Sequence, residues 1–172
     1  MRSIAEKLAP VEQGERILVV YFSQGSATKR VAEDLAFLLG AGTERIIETK
    51  SRKGFFGFLG AGADSAAGKS TEIERPLSDP SAYDAVVVCT PVWAWKLSPP
   101  VRTWLGLMKA RLPSCAFVVV SAATAPEKIV AMMEAASGKK ASAYVGFMEK
   151  DFAVGNRESY VGKLSAFVAA FH

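Results

Sequence analysis

Residues 17–35 read ILVVYFSQGSATKRVAEDL, and the order of their characters decides the fold. A continuous apolar run passes into a short polar loop, and the loop opens an amphipathic helix. Unbroken apolar strands suit a parallel sheet covered on both faces. A loop joining such a strand to a helix aims its amides and the positive end of the helix dipole at one point. That makes it suited to a phosphate. Ser23, Ser26 and Thr28 add hydroxyls that can donate to phosphate oxygens, and Gly25 lets the chain turn tightly between Gln24 and Ala27. The same hydroxyls also suit a plainer role as helix caps. The loop alone does not separate the two readings.

Residues 83–105, YDAVVVCTPVWAWKLSPPVRTWL, supply the context. A second buried strand, 85–89, ends at Thr90 and Pro91 and opens a loop through Val92, Trp93, Ala94 and Trp95. Pro99 and Pro100 then start a helix, because proline lacks only an N–H that a first turn leaves unpaired anyway. One strand end offers phosphate donors and the other offers planar aromatics. Together they suit a ligand with a phosphate tail and a flat ring, since pockets combine aromatic walls with a few polar groups. The plainer reading places both tryptophans in a core or an interface.

With these stretches and SRKGFFGFLGAG between them, the chain resembles the flavodoxin family, most closely an uncharacterised flavodoxin-like branch. The likeness runs loosely over nearly the whole chain. It implies a doubly wound sheet that binds flavin mononucleotide (FMN) non-covalently and passes electrons through it. Carried over by position, Ser23, Gln24, Gly25, Ser26, Ala27 and Thr28 would hold the phosphate. Thr90, Pro91, Val92, Trp93, Ala94 and Trp95 would line the isoalloxazine ring, and Ser121, Ala122, Ala123 and Thr124 would form a third loop on its other side. The family's phosphate loop reads Ser-x-Thr-Gly-Asn-Thr. Here the glycine sits one place early and Ala27 replaces the asparagine. A left-handed residue at position 26 would cost serine about 1 kcal/mol or more.

The rest of the chain agrees with a single doubly wound α/β domain. Its 172 residues are 50% apolar, enough for a substantial core. Apolar strands are expected at 17–22, 45–48, 85–89, 116–121 and about 144–148, and helices near 28–40, 55–66, 98–110, 126–137 and 157–171. Alternating βα units with right-handed crossovers give a five-stranded parallel sheet in the order 2-1-3-4-5 between two helical layers. Ligands then bind at the carboxyl ends of the first and third strands, where Ser23 and Thr90 emerge. Residues 1–14 are expected to form a loose arm and 15–172 the domain. Without a long apolar run, the sequence predicts neither a signal peptide nor a spanning helix, and a cytoplasmic location is the expectation.

Several chemistries are excluded or disfavoured. The single histidine is the terminal His172, so a Ser-His-Asp hydrolase lacks its base. Cys89 and Cys115 have no Cys-x-x-Cys spacing and suggest neither a metal site nor a dithiol pair; buried reduced cysteine is expected. Residues 63–70, ADSAAGKS, imitate a P-loop, but Ala63 stands where the first glycine belongs and no buried strand precedes it. Lys50, Arg52 and Lys53 precede Phe55, Phe56, Phe58 and Leu59, a pattern expected to pack on the sheet or cover the pocket, or equally to make a dimer contact. The net charge is +4, unlike the strongly acidic members of the family, so their partners are not assumed for this chain. Without a dense basic run, nucleic-acid binding is not indicated.

Three functions remain open on sequence. The first is an FMN-bearing electron carrier with an unidentified redox partner protein. The second is a reductase using NAD(P)H to reduce a flavin or quinone on the same fold. The third is a flavodoxin-like module that has lost tight flavin binding. The chain would act as a monomer or homodimer, and no metal is expected.

Overall fold

Strand β1 (Ile17–Tyr21) is buried along its whole length and sorts its side chains to two sides. Ile17, Val19 and Tyr21 join one core with Val31, Leu35, Tyr160, Leu164 and Phe167, while Leu18, Val20 and the following Phe22 join a second core with Val101, Trp104, Leu105, Ile129 and Met133. Two cores on opposite faces of one strand make three layers, which is what a period of two demands of an all-apolar strand. The structure is a computed structural model that describes residues 14–49 and 71–171. The helix expected over 55–66, the basic aromatic stretch 50–68 and residues 1–13 of the expected arm lie outside them.

Helix α1 (Ala27–Leu39) follows β1 and stops at Gly40, whose left-handed φ of 56° lets its amide turn back to the carbonyls of Ala36 and Phe37. Strand β2 (Gly42–Arg45) returns parallel to β1, from Leu18 opposite Gly42 to Tyr21 opposite Arg45. Strand β3 (Ala85–Trp93) pairs parallel with the other edge of β1, and a two-residue strand β4 (Lys96–Leu97) folds back antiparallel on its end. Helix α2 (Pro99–Met108), strand β5 (Ser114–Ser121), helix α3 (Pro126–Ser137), strand β6 (Ala141–Met148) and helix α4 (Arg157–Phe171) complete the chain. The sheet order is β2-β1-β3-β5-β6, the expected 2-1-3-4-5 once β4 is set aside. Helices α1 and α4 cover one face and α2 and α3 the other.

Two expectations move. The second strand lies at 42–45 rather than 45–48, and residues 47–49 instead run antiparallel to 72–74. There the Glu74 amide donates to the Ile47 carbonyl at 2.8 Å and the Thr49 amide to the Glu72 carbonyl at 3.1 Å. The edge strand shows one buried side chain, Glu44, so it lacks the apolar signal that Ile46 and Ile47 carry just beyond it. Glu44 is buried because its carboxylate accepts the amides of Leu77 and Ser78 at 2.9 and 2.8 Å. The third strand runs four residues past its expected end and turns into β4, and this hairpin shapes the candidate site.

Side-chain ties hold α4 to the rest. The Tyr160 hydroxyl donates to Asp34 of α1 at 2.8 Å with the Arg30 guanidinium 5.0 Å above the tyrosine ring. Asp151, 2% exposed, accepts from the Met148 amide, the Ser159 hydroxyl and Lys163 Nζ at 2.7, 3.0 and 2.6 Å. Burial opposes its charge, yet Lys163 and these donors outweigh it and hold the carboxyl below the usual carboxylate range. Among the described residues no helix is long and apolar enough to cross a membrane.

Candidate functional site

The sheet order reverses on either side of β1, so β1 and β3 send their following connections to opposite faces and leave a crevice at their carboxyl ends. Three loops meet that edge, one from each of β1, β3 and β5.

The first loop leaves β1 through Phe22 and the buried Ser23. The Ser23 hydroxyl donates to the Gly25 carbonyl at 2.7 Å and so draws the loop into a tight turn. From the neighbouring strand, Arg45 Nη2 donates to the Ser23 carbonyl at 3.0 Å. Gln24, Gly25 and Ser26 are exposed, Ala27 is half-buried and Thr28 is buried. Ser26 occupies the N-cap position of α1, but its φ of −102° and ψ of −23° are right-handed and its hydroxyl makes no capping bond. Position 26 therefore does not take the left-handed conformation that would have strained a serine. Gly25 is not left-handed either, and a Cβ placed on it meets no atom within 4 Å. The first helical bond runs from the Arg30 amide to the Ser26 carbonyl at 2.9 Å, so the amides ahead of Arg30 have no acceptor inside the helix. An uncapped hydroxyl beside open amides, at the positive end of a 13-residue helix, fits an anion.

The second loop is the β3–β4 hairpin. Val92 pairs with Leu97 and Trp93 with Lys96, which leaves Ala94 and Trp95 as a two-residue tip. Both have positive φ, 46° and 58°. That is the backbone sign a two-residue turn of the primed type needs at both central positions, and it is normally met by Asn-Gly. A side chain in that region costs about 1–2 kcal/mol per residue. Trp95 stands 70% exposed on this tip. The hairpin root is firm by contrast. Thr90 Oγ1 donates to the Pro91 carbonyl at 2.9 Å, so the Ser98 hydroxyl, 3.0 Å away, donates to Thr90. Ser98 immediately precedes α2, and this bond replaces the capping bond its hydroxyl would otherwise make. Thr90 is fully buried, and any contact it makes with a ligand would pass through the backbone. Pro91, Val92 and Ala94 are half-buried. Trp93 packs edge-on against Phe22 with ring centres 5.4 Å apart, linking the ends of β3 and β1.

The third loop closes on itself: the Ser121 hydroxyl donates to the Thr124 carbonyl at 3.0 Å and accepts the Thr124 amide at 3.2 Å. Ala122 and Ala123 are exposed on its outside and Thr124 is half-buried. The sixteen residues expected from the sequence to hold the cofactor thus lie in, or at the element ends beside, three connections along one edge of the sheet. Arg45 was not singled out, because its strand was expected to begin where it ends. No apolar signal marks this polar edge strand, Gly42–Arg45, in the sequence.

Cys89 lies inside β3 with no exposed surface, and burial drives its thiol far up, so it is a neutral packing group rather than a nucleophile. Burial likewise pushes Cys115 up to about 11. Both cysteines are free, and among the described residues no cluster of three or more metal-ligating side chains occurs.

No protein-family model matches this chain, and no curated protein does. Solved structures do. A flavoprotein from Lactobacillus acidophilus NCFM, in complex with FMN, is 21% identical with a TM-score of 0.68 over 88% of this chain and 99% of its own. Oxidised flavodoxin 1 from Bacillus cereus is 11% identical with a TM-score of 0.50 over 90% and 97%. An NADPH-quinone reductase from P. pentosaceus is 7% identical with a TM-score of 0.50 over 88% and 97%. At these identities the shared property is the architecture: the chain has the flavodoxin-like α/β fold.

Proposed function

We propose that the chain binds FMN non-covalently along the carboxyl edge of its sheet and serves in electron transfer. The observation that carries this reading is the juxtaposition at the switch point. An uncapped, open helix N-terminus with its serine hydroxyl lies on one strand end, and a tryptophan hairpin lies on the next. The amides of the 24–28 loop and the hydroxyls of Ser26 and Thr28 would hold the phosphate. Trp93 and Trp95 would flank the ring, with Ala122, Ala123 and Thr124 on its other side. Bound there, FMN supplies one- and two-electron redox chemistry, and the protein's part is to orient the ring and exclude water around it. Trp93, fixed against Phe22, sets a wall that does not need to rearrange. The architecture shared with FMN-bearing flavoproteins supports the reading at the level of fold.

The test is a visible absorption spectrum of purified protein incubated with excess FMN and desalted. Retained flavin bands shifted from those of free FMN support the site, and a colourless protein refutes it in favour of a flavin-free module. Adding NADPH to the flavin-loaded protein then separates the two redox roles. Steady NADPH oxidation with a quinone acceptor makes it a reductase, and inertness toward NADPH makes it a carrier. If the ring packs on Trp93, Trp93→Ala weakens FMN by about 1–3 kcal/mol, the scale of a stacked aromatic contact. Unchanged affinity in a fluorescence titration would remove Trp93 from the site.

A further inference from the structure

We infer that Arg45 is the charged element of the anion-binding loop, and that it makes the site select a phosphate monoester over its uncharged parent alcohol. The inference rests on the FMN reading above, and it adds a residue outside the three loops that carry that reading. Arg45 stands opposite Tyr21 in the last register pair of β2 and β1. Paired residues of neighbouring strands share a face, and Tyr21 packs in the core that contains Val31 and Leu35 of α1. The Arg45 side chain therefore leaves the sheet on the face that carries α1, the helix whose N-terminus opens at the loop. The residue is exposed, but its guanidinium is tethered: Nη2 donates to the Ser23 carbonyl at the loop's first residue, 3.0 Å away.

Nothing described neutralises it. Its neighbour Glu44 projects to the other face, where both carboxylate oxygens are engaged by the amides of Leu77 and Ser78. The cations on the first turn of α1 have carboxylates of their own, Lys29 with Glu33 at 3.6 Å and Arg30 with Asp34 at 4.0 Å. Among the described residues, Arg45 pairs with no carboxylate. A guanidinium carries five N–H donors in a planar fork, and one bond to a carbonyl leaves the rest for phosphate oxygens. A cation anchored beside open helix amides suits a doubly charged phosphate, and it is of no use to a neutral hydroxymethyl group.

The experiment compares wild type, Arg45→Gln and Arg45→Lys in fluorescence titrations with FMN and with riboflavin, which lacks the phosphate, at several salt concentrations. Arg45→Gln is expected to weaken FMN about 10-fold or more, the scale of a charge-assisted hydrogen bond. Riboflavin binding stays unchanged, and the salt dependence of FMN binding becomes shallower. Arg45→Lys, which keeps the charge, recovers most of the FMN affinity. Equal losses for both flavins, or none for FMN, overturn the inference, because a residue that merely shapes the loop would act on both ligands. A wild type that binds no flavin refutes the FMN reading separately, and thermal melting in inorganic phosphate against chloride at matched ionic strength then decides the inference. A phosphate-dependent rise in Tm that Arg45→Gln abolishes supports the inference, and the same response in both proteins, or none, overturns it.

Discussion

Ala94 and Trp95 hold left-handed backbone without glycine, and Trp95 does so with most of its ring in water. A residue that costs stability and buries little is best explained by something it touches only when bound. Trp95→Gly should relieve the backbone and raise stability by about 1 kcal/mol, read as an increase in Tm of about 2–4 °C for a domain of this size. The same variant should bind FMN more weakly. A variant that is both more stable and equally avid would detach Trp95 from the ligand. Ser26 presents the complementary case, a cap residue whose hydroxyl caps nothing. Ser26→Ala should leave Tm nearly unchanged, because no capping bond is lost, and weaken FMN by about 1 kcal/mol with riboflavin unaffected. A fall in Tm of several degrees without loss of FMN affinity would make Ser26 an ordinary cap. Residue identity carried much of the proposed site into view: the hydroxyls of the first loop and the tryptophans of the second are visible in the sequence. The uncapped state of Ser26 and the positive φ at 94 and 95 are not, because both depend on how neighbouring strands fix the loop ends.

Elements show what longer-range pairing adds. Strands β1, β3 and β5 are legible because they are buried over most of their length and carry continuous apolar runs. Strand β2 is an edge with one buried side chain, and the stronger apolar signal of Ile46 and Ile47 draws the expectation three residues too far. The displacement hid Arg45. The β3–β4 tip lacks the Gly or Asn that announces such a turn, so the hairpin was invisible as well. Close element packing gives two further predictions. Gly146 of β6 faces the first residue of α3, and a Cβ there would lie 2.7 Å from Pro126 Cγ. Gly146→Ala should destabilise the domain by about 1–3 kcal/mol in urea unfolding, since the rigid Pro126 ring that starts the packed helix α3 does not yield easily. A neutral result would show that α3 shifts freely on the sheet.

The second concerns Asp151, which ties the end of β6 to α4 through Lys163. Its carboxyl is held below the ordinary value of about 4, so its contribution to stability is complete above that pH and is lost as the pH falls through the folded value. Lys163→Met removes the main counter-charge and leaves burial to dominate, so the carboxyl then favours its protonated form. The variant should lose about 2 kcal/mol at pH 7, and the gap from wild type should narrow as the pH approaches 4. Urea unfolding at the two pH values measures both, and a gap that does not change with pH would mean that Lys163 contributes packing rather than charge.

At the scale of the molecule, the sheet order, the two helical layers and the crevice at the switch point follow from alternation of apolar strands and helices, and they need no single residue. That robustness is why chains 7–21% identical share the architecture, and why the fold by itself does not decide among the carrier, reductase and flavin-free readings. The candidate site's own signature is the pairing of two strand ends: an open helix N-terminus and a guanidinium beside the end of β1, and aromatic rings at the end of β3. The central claim is that the 23–28 loop holds a phosphate. Side-by-side fluorescence titrations of the wild-type protein with FMN and riboflavin test it most directly. The account predicts that FMN binds at least about 10-fold more tightly than riboflavin, the margin a charge-assisted contact to the phosphate provides. Equal affinity for the two flavins would contradict it.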